Sequence, residues 1–184
     1  MKPGANVALT REVPDLTGVV LGLRFSSSAG EILTDNLVAA TILCDASRKA
    51  LSDEHFVFFN QLSSPDLSVR QLEEVLGQDN EQIEIDLNGV PPEVASIVVV
   101  IYLNEGIVQR RSLGQLRECT IRVLNLADNK EMVRSEDLAP ALTNETAVVL
   151  GEMYRHDSGW KFKVTGQGYA NGLRGIADDY GVTL

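Results

Sequence analysis

Apolar residues along this chain fall mostly into short runs and strict alternations, the signature of strands. "ANVALT" alternates and opens as a strand, and "TGVVLGLRF" at residues 17–25 continues as a second. "SSSAGEILTDN" is polar and glycine-bearing, which predicts a loop. "LVAATILC" (37–44) and "HFVFFNQL" (55–62) are rich in β-branched and aromatic residues, and the charged segment "DASRKALSDE" between them predicts two adjacent strands. "VRQLEEVLG" carries apolar residues at 69, 72, 75 and 76, a helical spacing ended by Gly77. In "EQIEIDLNGVPPEV", Ile83, Ile85 and Leu87 alternate with Glu84, Asp86 and Asn88, a half-buried strand that stops at the double proline.

"SIVVVIYL" (96–103) is the most deeply apolar strand of the chain. "SLGQLREC" predicts a short helix with Ser112 as its N-cap, and "TIRVLNLAD" returns to alternation. "TAVVLGEMYRHDSGWKFKVTGQGY" reads as two strands closed by the turn "HDSG". Near the C-terminus, "ANGLRGIADDYGV" places Leu173, Ile176 and Tyr180 on one helical face. Many short strands with few, brief helices predict a mainly β fold: a β-sandwich of two sheets with a few short peripheral helices, formed as one domain over residues 1–184. The chain contains neither an internal repeat nor a low-complexity tract.

Composition narrows the function classes. A hydrophobic content of 44% suits a packed globular core, and the longest apolar run, "VASIVVVIYL", is half of the roughly 20 residues that a membrane-spanning helix needs. No segment of signal-peptide character follows the first lysine, so a cytoplasmic location is expected. Cys44 and Cys119 lack a Cys or His at metal-ligand spacing and read as small core residues. With 26 acidic against 16 basic residues the net charge is −10, which argues against nucleic acid as a partner because a phosphate backbone is repelled by such a field.

Catalytic patterns are scarce. His55 and His156 are the only histidines, one at the start of a strand and one in a turn, and the chain has no G-x-S-x-G elbow, P-loop or H-E-x-x-H motif. The adjacent acids Asp178 and Asp179 read as the solvated face of a helix. The expectation is therefore that the protein is not an enzyme. Oxygen-ligand chemistry remains open, since calcium takes oxygens from carboxylates, amides and carbonyls without histidine or thiolate. Asn60, Asp66, Asp79, Asn80 and Glu81 are the candidate metal ligands, although neither of their loops has the EF-hand frame. Each of them also suits an ordinary turn or strand end.

Longer stretches carry a resemblance. "KPGANVAL", "SDEHFVFFNQLSSPDLSV" and "DNEQIEIDLNGVPPEV" resemble successive segments of the TerD family of bacterial tellurium-resistance and general-stress proteins. "LGEMYRHDSGWKFKVTGQGYANGLRGIADDYGV" is similar to the C-terminal signature of that family, with Arg155, Trp160, Phe162, Gly166, Gly168, Leu173, Tyr180 and Gly181 in the expected places. The resemblance implies a β-sandwich that binds calcium through acidic loops, acts without known catalysis, and serves in resistance to tellurite and other chemical stress with protein partners, in a membrane-associated complex.

The departures bear on calcium. Leu23 and Arg24 stand where the family usually has Trp-Asp, and Asn36, Leu37 and Val38 stand where it usually has D-L-D. The family's G-D-N-x-T-G loop is replaced by "RQLEEVLGQ", after which only Asp79, Asn80 and Glu81 resemble a D-D-E ending. Fewer ligand charges and an added cation at Arg24 lower the affinity for a divalent ion. Calcium binding is accordingly expected to be weak or absent, the alternative being a calcium-binding module built on the surviving acidic loops. For Trp160, Phe162 and Tyr169, alternating with polar neighbours, the expected role is packing, with Gly166 and Gly168 at a bulge or turn.

Overall fold

The computed structural model describes residues 1–27, 31–75, 77–104 and 111–184. Its strands are β1 (Asn6–Ala8), β2 (Gly18–Ser27), β3 (Leu37–Cys44), β4 (Phe56–Val57), β5 (Val69–Gln71), β6 (Glu81–Asp86), β7 (Ser96–Leu103), β8 (Leu116–Asn125), β9 (Glu131–Arg134), β10 (Ala147–His156) and β11 (Gly159–Tyr169). The helices are α1 (Leu9–Glu12), α2 (Glu31–Asp35) and α3 (Gly172–Tyr180). Among the described residues the strands form two antiparallel sheets, one ordered β1-β11-β10-β7-β3-β4 and the other β5-β6-β2-β8-β9. This is the β-sandwich that the alternation predicts.

The core lies between the sheets. Ile97, Val99 and Ile101 of β7 face Leu21 and Leu23 of β2 and Ile83 and Ile85 of β6 across one continuous apolar cluster. The opposite face of β7 is buried as well, because Val98, Val100 and Tyr102 pack in a second cluster with Ile176, Ala177 and Tyr180 of α3. A strand covered on both sides cannot alternate with polar residues, which explains why the strand is apolar from Ile97 to Leu103. Helix α3 stops at Gly181, whose φ of +70° is the left-handed conformation that glycine adopts without a Cβ clash.

Hairpin β10–β11 turns through Asp157 and Ser158, both at positive φ, the two-residue geometry that follows the twist of the strands. Further along, the pairing shifts so that Leu150 faces both Thr165 and Gly166, and Gly166 with φ +74° supplies the bulge. Ser112 caps a 3₁₀ turn, Leu113–Gln115, with a reciprocal bond from Gln115, so the predicted helix is one turn long before β8 begins.

Several predicted elements are different in the structure. Of "HFVFFNQL" only Phe56–Val57 is strand, and the chain turns at Phe58–Gln61; "ANVALT" passes from β1 into α1 at Leu9; and β6 ends at Asp86, with Leu87 in a 3₁₀ turn, Leu87–Gly89. Residues 69–71 form the edge strand β5 instead of a helix, with Val69 and Gln71 buried and Arg70 outward against Glu84 of β6. Helical spacing and strand alternation coincide over so few residues, and the unsatisfied edge of β6 decides between them. Leu76 of that prediction lies outside the described residues. The polar segment after β2 contains α2 as well as loop, while residues 28–30 lie outside the described residues. Strand β9 and the one-turn helix α1 carry too little apolar pattern to be read in advance.

Trp160 is 6% exposed and packs in the main core, with the Arg155 guanidinium 4.5 Å from its ring centre. Arg155 in turn donates to the carbonyls of Val90, Pro91 and Val94, so the indole and the β6–β7 connection are held together. Trp160→Ala is expected to destabilise the fold by about 3–5 kcal/mol through the cavity left behind, measured by urea denaturation.

Candidate functional site

Among the described residues the candidate acids Asp66, Asp79 and Glu81 do not form one cluster. Asn60 sits with Phe59 in the tight turn between Phe58 and Gln61, exposed to solvent. Asp66 belongs to the turn before β5, where its Oδ1 accepts from the Ser64 hydroxyl (2.9 Å), the Ser68 amide (2.8 Å) and the Ser68 hydroxyl. Burial pushes the Asp66 carboxyl up, but these hydrogen bonds outweigh it and hold the group below its ordinary range. Its Oδ2 is buried without a hydrogen-bond donor among the described residues, and Nε2 of His55 is 3.9 Å away.

Asp79 lies on the outer face of the second sheet. Gly22 of β2 pairs with Gln82 of β6 and Arg122 of β8, and the absence of a side chain at Gly22 makes room for the Asp79 carboxylate. A methyl group on Gly22 would collide with Oδ2 of Asp79. Into that space Arg122 donates from Nη2 to Oδ2 (2.8 Å) and from Nε to Oδ1 (3.0 Å), and Gln82 donates to Oδ2 (2.9 Å). Both oxygens of Asp79, whose side chain is 1% exposed, are thereby committed to protein donors. Asn80 uses its Oδ1 to accept from the Phe25 amide. Arg24, next to Phe25, donates to Oε1 of Gln78 at 2.8 Å.

Glu81 is the exception, because it opens onto a cavity. At one end of the sandwich a cleft of about 460 Å³ lies between the start of β3 with Asp35 and Asn36, the turn residues Phe59 and Leu62, the end of β5, Glu81 of β6, and Asn104 after β7. The Gln71 amide donates to the Leu62 carbonyl and the Asn104 amide to the Asn36 carbonyl, so backbone bonds tie these walls together. Nε2 of Gln71 donates to Oε2 of Glu81 at 2.9 Å. Burial nevertheless dominates at Glu81 and raises its pKa above the ordinary 4.5. Sequence reasoning passed over Gln71, Asp35 and Glu73 as cleft residues, since only the packing of the sheets brings these distant segments together.

Chemically, the cleft offers carboxylates and amides against an apolar wall. Among the described residues no three His, Cys, Asp or Glu side chains lie close enough to hold one metal ion. His55, half-buried, shares a 2.7 Å hydrogen bond with the Ser52 hydroxyl through Nδ1, and burial pushes the Cys44 and Cys119 thiols up to about 12. No helix among the described residues is long and apolar enough to cross a membrane.

The architecture defines an antiparallel β-sandwich domain with a polar cleft at one end. The chain matches the TerD domain over residues 1–180 and belongs to that family. It is 34% identical to the tellurium resistance protein TerD of Serratia marcescens over 186 residues, covering 99% of this chain and 96% of that one. It is 35% identical to general stress protein 16U of Bacillus subtilis (strain 168), with 98% and 96% covered. The solved structure of a homologue of telluride resistance protein (TerD) from Streptomyces coelicolor A3(2) shares the fold with a TM-score of 0.65 at 17% identity, over 88% of this chain and 95% of that one.

Two measurements test this picture of the acidic groups. Arg122→Leu strands a buried carboxylate and is expected to destabilise by about 3 kcal/mol or more, with much of the loss recovered in the Asp79→Asn, Arg122→Leu double variant, by chemical denaturation. For Glu81 the folded pKa is raised, so its contribution is fully favourable below the unfolded value near 4.5 and is lost as pH climbs through the folded value. Glu81→Gln cannot ionise. The melting temperature of the variant relative to the parent should therefore rise between pH 4.5 and neutrality; a gap independent of pH contradicts the assignment.

Proposed function

We propose that this chain is a non-enzymatic stress-response protein of the TerD family, acting in the cytoplasm in resistance to tellurite or related chemical stress as a protein-interaction module whose calcium binding is weak or lost. The family membership and the names of the relatives, a tellurium resistance protein and a general stress protein, support the stress role. The observation that carries the calcium part is the commitment of acidic and amide oxygens to the protein itself. Asp79 is neutralised by Arg122, Asn80 caps the Phe25 amide, and Oδ1 of Asp66 organises its own turn. A calcium ion that needs about six to eight oxygens must break such bonds before it gains its own.

The non-enzymatic part is supported by the state of the reactive groups. The thiols are buried and hard to ionise. A second reading, a calcium-binding module built on the surviving acidic loops, draws on Glu81, which opens onto the cleft that Asp35 and Glu73 also line. It would use fewer of the candidates named from sequence and more of their neighbours.

Melting curves in EDTA, in millimolar calcium and in millimolar magnesium separate the two readings. The interaction module predicts coincident curves. A ligand at a hundredfold excess over its dissociation constant adds about 2.7 kcal/mol, which for a chain of this length is roughly 5–10 °C. A calcium-specific rise of that size would establish the second reading instead.

A further inference from the structure

We propose that the cleft at the end of the sandwich is the docking site for a basic side chain, arginine above all, presented by a protein partner. This deepens the interaction reading above and rests on it. The first ground is charge. Asp35, Glu73 and Glu81 line the cleft, and among the described residues no lysine, arginine or histidine does, so its field has one sign.

The second ground is an unused hydrogen-bonding group. Gln71 is 9% exposed and lines the same cleft, and while its Nε2 fixes Glu81, its Oε1 is buried without a donor among the described residues. Buried carbonyls are almost always paired, and an orphan beside an oriented carboxylate marks a place prepared for a donor from outside. Such a donor would be a cation with several N–H groups, able to reach Gln71 and Glu81 together.

The third ground is the apolar wall. Leu37, Val38, Leu62 and Leu72 line the cleft below Phe59, a large aromatic residue that is 57% exposed. A long aliphatic stem with a charged tip matches this division, the stem against the leucines and the guanidinium beside the ring and the carboxylates. A bare divalent ion matches it less well. It draws about six to eight oxygens to roughly 2.3–2.6 Å, whereas the acids here are dispersed and among the described residues no three of them converge. The planar guanidinium spreads its donors over a wider span and can bridge acceptors that are apart.

The test uses the full chain, labelled with nitrogen-15, and three separate titrants: N-acetyl-argininamide, its neutral isostere N-acetyl-citrullinamide, and calcium chloride. The arginine compound should shift the Ala39, Leu72 and Glu81 backbone signals and the Gln71 side-chain amide saturably, and the citrulline compound should not. Glu81→Gln should weaken the arginine response on the order of tenfold, the loss expected for a charge-assisted bond. Phe59→Ala changes an exposed residue, keeps the fold, and should weaken the response several-fold if the ring takes part. Shifts scattered over the acidic surface and insensitive to both substitutions overturn the proposal. Calcium that saturates the same signals and displaces the arginine compound overturns it too, by making the cleft a metal site. Coincident melting curves in calcium and EDTA, combined with no arginine response, would sink this proposal alone and leave the interaction reading in place.

Discussion

Burial of β7 on both faces is the constraint on which the rest of the structure depends. One side of Ser96–Leu103 packs against the opposing sheet, and the other is closed by α3. Without the helix, the outer face of the first sheet would present Val98, Val100 and Tyr102 to water together with neighbours from β3 and β10, at about 25 cal/mol for every Å² of apolar surface left uncovered. The C-terminal segment is therefore part of the core. Its glycine stop, the bulge at Gly166 and the tight turn at Asp157 and Ser158 bring the chain back over the sheet in the register that this packing requires.

Electrostatics in this acidic protein divide into two regimes. On the outer face of the second sheet, Asp79 and Arg122 neutralise one another above Gly22, with Gln82 completing the set and Glu131 reaching Arg122 as well. Those charges hold β6 and β8 to β2 and have few free lone pairs. At the end of the sandwich the opposite holds. Among the described residues Glu81 is desolvated by its surroundings without a cation beside it, and Gln71 keeps one oxygen unpaired. Structural acids and available acids thus occupy different places, although Asp79 and Glu81 are only two residues apart. Asp79 lies in the segment before β6 and sits on the outer face with Gly22 and Arg122, whereas Glu81 opens the strand and by its two-residue period shares the inward side with Ile83 and Ile85.

What the sequence by itself determined is the long strands of both sheets and the layered fold. Ile83, Ile85 and Leu87 alternate because one side of β6 is core and the other is not, and 97–103 is uniformly apolar because both sides of β7 are core. The motifs of the C-terminal signature were equally legible, and so was the family they resemble, since they depend on residue types at short spacing. Tertiary structure decided the edge strand β5, where Val69 and Gln71 fit either a helix or a strand until β6 offers its free edge. It also decided the fate of every candidate ligand. Whether a carboxylate is free or committed depends on what lies across from it, and the partners of Asp79 and Asn80, Arg122 and Phe25, are 43 and 55 residues away. The cleft itself joins segments from Asp35 to Asn104, and periodicity carries no information about such a meeting because it records which face a residue takes and not which residue it will face.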